Sequence, residues 1–235
     1  IIPVHIFGNP SDMDAIRRIA ERHRLGILED AAQAHDARYH GNKVGVLGDA
    51  AAFSFYATKN MTCGEGGMFV SRDKDLVDKV RHLRNQGQLN RYQYVSVGLN
   101  NRMSDLHAAV GRVQLQKLSK WTQRRQEIAS AYGCLSQLVA TQKVSPKCES
   151  AYHQFSIVMP AELRDQVLDG LREQGIAASV YYPQGLHEIA PLKFGLEATC
   201  PTVERVTRGI ICLPISPQMT DEEVSFTRQV VSELL

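Results

Sequence analysis

Lys59 and Asp30 are the residues whose types and settings are suited to covalent chemistry. Lys59 follows a short apolar stretch, Ala51 to Phe55, and precedes a glycine-rich run, Gly64-Glu65-Gly66-Gly67. Asp30 closes an earlier apolar stretch that begins at Leu25. An amine after one strand and a carboxylate at the end of another suit pyridoxal phosphate. The lysine would hold the cofactor aldehyde as a Schiff base, and the acid would keep the pyridine nitrogen protonated. Alone, each residue is a weak signal, because lysines are commonly solvated and strand-end aspartates commonly belong to turns. Cys63, near the lysine, reads either as a nucleophile or as a small buried packing residue, and packing is the commoner role. His35, His153 and His187 sit in separate segments without metal-ligand spacing, so no metal site is expected.

The elements that must position these residues alternate. Strands are expected at 2–6, 26–29, 51–55 and 68–71. Met13, Ile16, Ile19 and Ala20 make a helical stripe after a turn at Asn9-Pro10-Ser11, with Ser11 and Asp14 resembling a capping box. Asp73 caps a second helix carrying Leu76, Val77, Val80 and Leu83. A long helix starts at Ser104 and runs to about Leu135. The later part reads as strand 155–159, helix 161–174 stopped by Gly175, strand 176–181, helix 202–208, strand 210–213 and helix 221–235. Alternation implies an α/β fold with part of a large, mainly parallel sheet domain, followed by a small C-terminal α+β domain. The expected division is 1–125 and 126–235. The first part holds few strands for an open sheet and lacks a glycine-rich phosphate turn, which suggests that the sheet continues elsewhere. The start at Ile1, without Met, reads as an internal position in a longer chain.

Composition excludes some classes. The chain has 235 residues, 43% of them hydrophobic, and a net charge of +2. Such a balance gives no electrostatic case for nucleic acid or a membrane surface. The five cysteines are dispersed, without a C-x-x-C pair, which fits a reducing cytoplasm better than a disulfide framework.

The motifs occur in a consistent order: Pro3-Val4-His5; Glu29-Asp30-Ala31-Ala32-Gln33-Ala34-His35; Ser54-Phe55-Tyr56-Ala57-Thr58-Lys59-Asn60; Gly64-Glu65-Gly66-Gly67; Arg84-Asn85-Gln86-Gly87; Gly98-Leu99-Asn100-Asn101-Arg102-Met103; Tyr181-Tyr182-Pro183; and Leu213-Pro214. On these residues the chain resembles the C-terminal two-thirds of the DegT/DnrJ/EryC1/StrS family of pyridoxal phosphate-dependent sugar aminotransferases. The 29 positions from Asp30 to Lys59 match that family. The resemblance implies fold type I, Lys59 as the catalytic lysine, Asp30 at the pyridine nitrogen, Gln33 on the phenolic oxygen side and Ser54 at the phosphate. It implies that Asn100 reaches a neighbouring subunit's cofactor phosphate, so a homodimer with shared sites is expected. Asn101 stands where the family usually has an aromatic. Tyr182 and His187 fall near the family's substrate segment. The implied reaction passes an amine, usually from glutamate, to a keto group on a nucleotide-linked sugar. A sugar dehydratase subgroup carries His in place of the lysine, which Lys59 argues against; a non-catalytic relative is the other alternative.

Overall fold

The structure is a computed structural model that describes residues 1–189 and 199–235. Its elements in chain order are α1 (Met13–His23), β1 (Leu28–Asp30), β2 (Arg38–Tyr39), β3 (Asn42–Lys43), β4 (Ala50–Ser54), β5 (Gly67–Ser71), α2 (Lys74–Arg84), β6 (Gln88–Asn90), β7 (Gln93–Tyr94), α3 (Asp105–Tyr132), β8 (Ala140–Thr141), β9 (Cys148–Glu149), β10 (Phe155–Val158), α4 (Ala161–Glu173), α5 (Pro201–Gly209), β11 (Ile210–Leu213) and α6 (Asp221–Leu234). They fall into two compact units: residues 1–123 with 144–153, and residues 124–143 with 154–235. The division differs from a single cut after residue 125, because the chain returns to the first unit at Val144–His153.

The first unit carries the sheet β1-β4-β5. β1 and β4 run parallel, with Asp30 opposite Ala52, and Val4 adds a parallel bridge to Asp30. β5 is antiparallel to β4, whereas the Val4–Asp30 and β1–β4 pairings of the same sheet are parallel. The reason is the connection: Phe55 to Gly66 forms a loop with no helix to carry the chain back for a parallel strand. The 2–6 strand is reduced to the Val4 bridge and is followed by a 3₁₀ turn at Ile6–Gly8. Helix α1 is capped by Asp12, whose carboxylate accepts the Ala15 N–H, not by the Ser11–Asp14 box. Asp73 caps α2, accepting from the N–H groups of Asp75 and Leu76. The core beneath the sheet joins Met13 and Ala20 of α1 to Ile27, Ala31, Tyr39 and Leu47. Short strand β9 returns to pair with β2, which forms a small sheet the apolar periodicity did not reveal.

In the second unit, β10 lies between β11 and β8, antiparallel to both. Residues 176–181 do not form a strand; Ser179 makes one isolated bridge to Cys212. Tyr132 and Phe155 pack with ring centroids 5.2 Å apart, and the Tyr132 hydroxyl donates to the Pro214 carbonyl at 2.9 Å. Gly170 lets α4 approach α6 closely, because a Cβ there would lie 2.8 Å from the Leu234 side chain.

Candidate active site

Parallel pairing fixes which side chains share a face. Successive residues of a strand point to opposite faces, and residues opposite one another in neighbouring strands point the same way. With Asp30 opposite Ala52, the residues Asp30, Ala52 and Ser54 share one face at the carboxyl ends of β1 and β4. Glu29, Ala51 and Phe53 share the other. In open α/β sheets, ligands bind outside the carboxyl ends of the strands.

The Asp30 backbone is held on both sides. Its N–H donates to Pro3 O at 2.9 Å, and its carbonyl accepts the His5 N–H at 3.1 Å. Asp30 Oδ1 accepts the Ala32 N–H at 3.1 Å, which starts the turn carrying Gln33. Gln33 is partly buried in that turn, where its Oε1 accepts the Phe7 N–H at 2.7 Å. Ser54 Oγ accepts the Tyr56 N–H at 3.3 Å, at the entrance to the lysine loop.

That loop is tied at its neck. Phe55 N donates to Gly66 O at 2.9 Å, Cys63 N to Phe55 O at 3.0 Å, and Tyr56 bridges Gly64. Within it, the Lys59 N–H donates to Tyr56 O at 3.0 Å. Asn60 is 5% exposed and anchors the loop. Its Nδ2 donates to Ala151 O at 2.9 Å, and its Oδ1 pairs with His153 Nδ1 at 3.0 Å. His35 is buried beside Phe53 and Phe55, its ring centroid 5.5 and 5.9 Å from theirs. Burial pushes its imidazole down to about 4; the backbone at Ser54 opposes this and the Lys59 charge adds to it. His35 is therefore neutral at pH 7. Cys63 is buried and donates to Glu65 O at 3.2 Å. Burial, then the Glu65 charge, pushes its thiol up, which favours packing over nucleophilic attack.

Asp30, Gln33, Ser54 and Lys59 thus belong to the sheet end and loop of the first unit. Asn100 sits on an exposed segment that bridges Asn85, and its Oδ1 accepts Arg102 Nε–H at 2.9 Å. Tyr182 and His187 belong to the second unit. His187 Nε2 is 3.1 Å from Glu204 Oε1, which also accepts the Cys200 N–H at 3.0 Å. Reading the sequence for chemistry passed over two buried polar groups, Glu29 and Asn60. Each lies next to a site residue in the chain, and a charged or amide side chain inside a motif was the available signal.

The donor set fits pyridoxal phosphate: an amine on a loop, a carboxylate and a hydroxyl on one sheet face, and an amide in the adjoining turn. The chain is also similar to proteins that handle this cofactor or its chemistry. A dTDP-3-amino-3,4,6-trideoxy-alpha-D-glucose transaminase of Streptomyces venezuelae is 38% identical over 228 residues, 93% of this chain and 59% of that protein. The crystal structure of S. venezuelae DesV in complex with a ketimine intermediate superposes with a TM-score of 0.91 at 36% identity, covering 99% of this chain and 64% of that one. The PLP form of a sugar aminotransferase described as putative, Spr1654 of Streptococcus pneumoniae, superposes with a TM-score of 0.90 at 26% identity, covering 100% of this chain and 69% of that one. This chain spans less than two thirds of the length of the first two. The model of the DegT/DnrJ/EryC1/StrS aminotransferase family matches residues 1–234, and its members among the solved structures share the α/β fold seen here. The chain belongs to the DegT/DnrJ/EryC1/StrS aminotransferase family.

Proposed function

We propose that this chain carries the amino-transfer site of a pyridoxal phosphate-dependent enzyme that moves an amine from an amino acid, by preference glutamate, to a keto group of a nucleotide-linked sugar. The observation that carries the reading is the shared face of Asp30 and Ser54, with the Lys59 loop leaving directly from the end of the same strand. When bound, the cofactor supplies an aldehyde that takes up the amine and a ring that withdraws electrons.

The protein's own groups do the rest. Asp30 holds a proton on the pyridine nitrogen, Ser54 donates its hydroxyl to the phosphate, and Gln33 orients the phenolic oxygen side. Lys59 Nζ holds the cofactor at rest. Once displaced by the donor amine, it would be the free base that takes the proton from the donor Cα and returns it in the transfer. The donor would leave as its 2-oxo acid, and the reverse sequence on the ketosugar would yield the aminosugar and restore the cofactor aldehyde. Asn100, exposed on its segment, is assigned to the cofactor phosphate of a second copy, which makes the working unit a homodimer. Tyr182 and His187 are assigned to the sugar side. The cysteines are all unpaired thiols, which supports a reducing compartment such as the cytoplasm.

A Lys59→Ala variant tests this reading. The purified protein with added pyridoxal phosphate should show a visible absorbance band that the variant lacks, and glutamate should shift that band. A wild-type protein that never develops the band overturns the assignment of Lys59. A band that no amino donor shifts overturns amino transfer and leaves the dehydratase alternative.

A further inference from the structure

Glu29 is 0% exposed, as is His5 beside it. A buried carboxylate is costly unless donors surround it, and Glu29 is surrounded. Its Oε1 accepts the N–H groups of Leu47 and Gly48, both at 2.8 Å. Its Oε2 accepts the Gly45 N–H at 2.9 Å and faces His5 Nε2 at 3.1 Å. The His5 tautomer follows from its other nitrogen. Nδ1 accepts the Ser11 N–H at 3.0 Å, so it carries no proton, and Nε2–H is the donor to Glu29. The Glu29 carboxylate is thus held by four N–H donors, three from the backbone and one from the His5 ring. Burial raises the Glu29 carboxyl, but the His5, Gly45 and Gly48 donors outweigh it and leave the group below its ordinary value.

The position of this anion matters because Glu29 immediately precedes Asp30. The same His5 whose ring donates to Glu29 donates its backbone N–H to the Asp30 carbonyl. One residue thus grips the strand end twice, from its ring below the sheet and from its backbone along the edge. The turn at Gly45–Gly48 is drawn in by three of the four donors. Nothing in the amino-transfer chemistry uses Glu29 or His5 directly.

We propose that His5 and Glu29 are positioning residues for Asp30: their buried hydrogen-bonded pair fixes the strand end from which Asp30 protonates the pyridine nitrogen. This rests on the assignment of Asp30 above. Loosening the pair would let the Asp30 backbone shift without removing its carboxylate, so the cofactor would bind more weakly and its ring nitrogen would lose the proton more easily. The buried negative charge adds to the effect by favouring a cation on the opposite face of β1.

The experiment loads the protein with pyridoxal phosphate labelled with ¹⁵N in the ring, and follows the ring-nitrogen shift against pH together with the cofactor dissociation constant. His5→Leu removes the ring donor, whereas His5→Gln offers an amide donor in its place; Glu29→Gln removes the charge. His5→Leu and Glu29→Gln should each move the nitrogen toward its unprotonated shift and weaken cofactor binding about tenfold, the lower end of what loss of a supporting residue costs at metal sites. His5→Gln should stay near the wild type. Leu171→Ala, a core truncation in the second unit, should lower stability without moving the nitrogen signal. Asp30→Asn must move it; if it does not, the assignment of Asp30 fails and the proposal falls with it. If Asp30→Asn moves the signal while His5→Leu folds and leaves it unchanged, the assignment stands and the positioning role is overturned. Should Glu29→Gln fail to fold, the two His5 variants decide.

Discussion

Replacing Asn60 by alanine should loosen the lysine loop, and the size of the effect follows from two contacts. Asn60 is 5% exposed, so neither contact is replaced by bulk water when the side chain is cut back. The substitution removes the donor to Ala151 O at 2.9 Å and the partner of His153 Nδ1 at 3.0 Å. A buried polar group deprived of its partner costs about 1–3 kcal/mol. Two such groups give about 2–6 kcal/mol, and because the vacated volume lies among polar atoms that a water can bridge, the lower half is expected, about 3 kcal/mol. Urea unfolding at equilibrium measures the loss. A cycle with His153→Ala should return a coupling of about 1 kcal/mol, since the two side chains share one hydrogen bond. Amide exchange adds a local readout: the Lys59 N–H, bonded to Tyr56 O, should exchange faster in Asn60→Ala while the β4 amides hold. A loss under about 0.5 kcal/mol, within the range of ordinary surface changes, or unchanged exchange at Lys59, would refute the view that this amide anchors the loop.

Gly45→Ala should destabilise by about 1–3 kcal/mol, read by thermal unfolding. Gly45 has φ +103°, and an added Cβ would lie 2.7 Å from the Phe53 ring; an unchanged melting temperature would contradict that crowding. His35 should titrate near 4 in an NMR pH series. Its folded value lies below the ordinary 6.5, so the folded state binds fewer protons; stability is full above about 6.5 and falls by up to about 3 kcal/mol as pH drops to about 4. His35→Gln should flatten that part of the profile. Alkylation at pH 8 should label exposed Cys134 first and leave buried Cys212, its thiol pushed up to about 12 by burial, unmodified until unfolding; mass spectrometry reads the order.

The helices were legible because their apolar residues recur at helical spacing, and the longer strands because they are short, mostly apolar runs. Asp73 ahead of Leu76, Val77, Val80 and Leu83 announces α2 and its cap together, and the uninterrupted apolar stretch at 210–213 becomes the fully buried β11. What the sequence hid are structures held by partners distant in the chain. Strands β2 and β9 are two residues each, too short for a period, and β9 is defined by its pairing with β2, more than a hundred positions away in the chain. The 176–181 stretch has strand-like composition, yet it meets its neighbour at one bridge. For the site, Lys59 and Asp30 stood out by type and setting, and the common face of Asp30 and Ser54 needed only the register of one strand pair. The roles of Glu29, Asn60 and His153 were hidden because hydrogen bonds spanning sixteen to ninety-three positions leave no local pattern.

The return of residues 144–153 to the first unit has a consequence for how the protein is made. The loop bearing Lys59 is fastened through Asn60 to Ala151 and His153, which leave the ribosome 91 and 93 residues later. At roughly 5–20 residues per second, the lysine waits on the order of 5–20 s for its fastening. Through that interval the sheet end and the neck of the loop can form while the Asn60 side chain has neither of these partners. The nascent chain therefore gains a fastened lysine loop only after the whole of α3 has been translated.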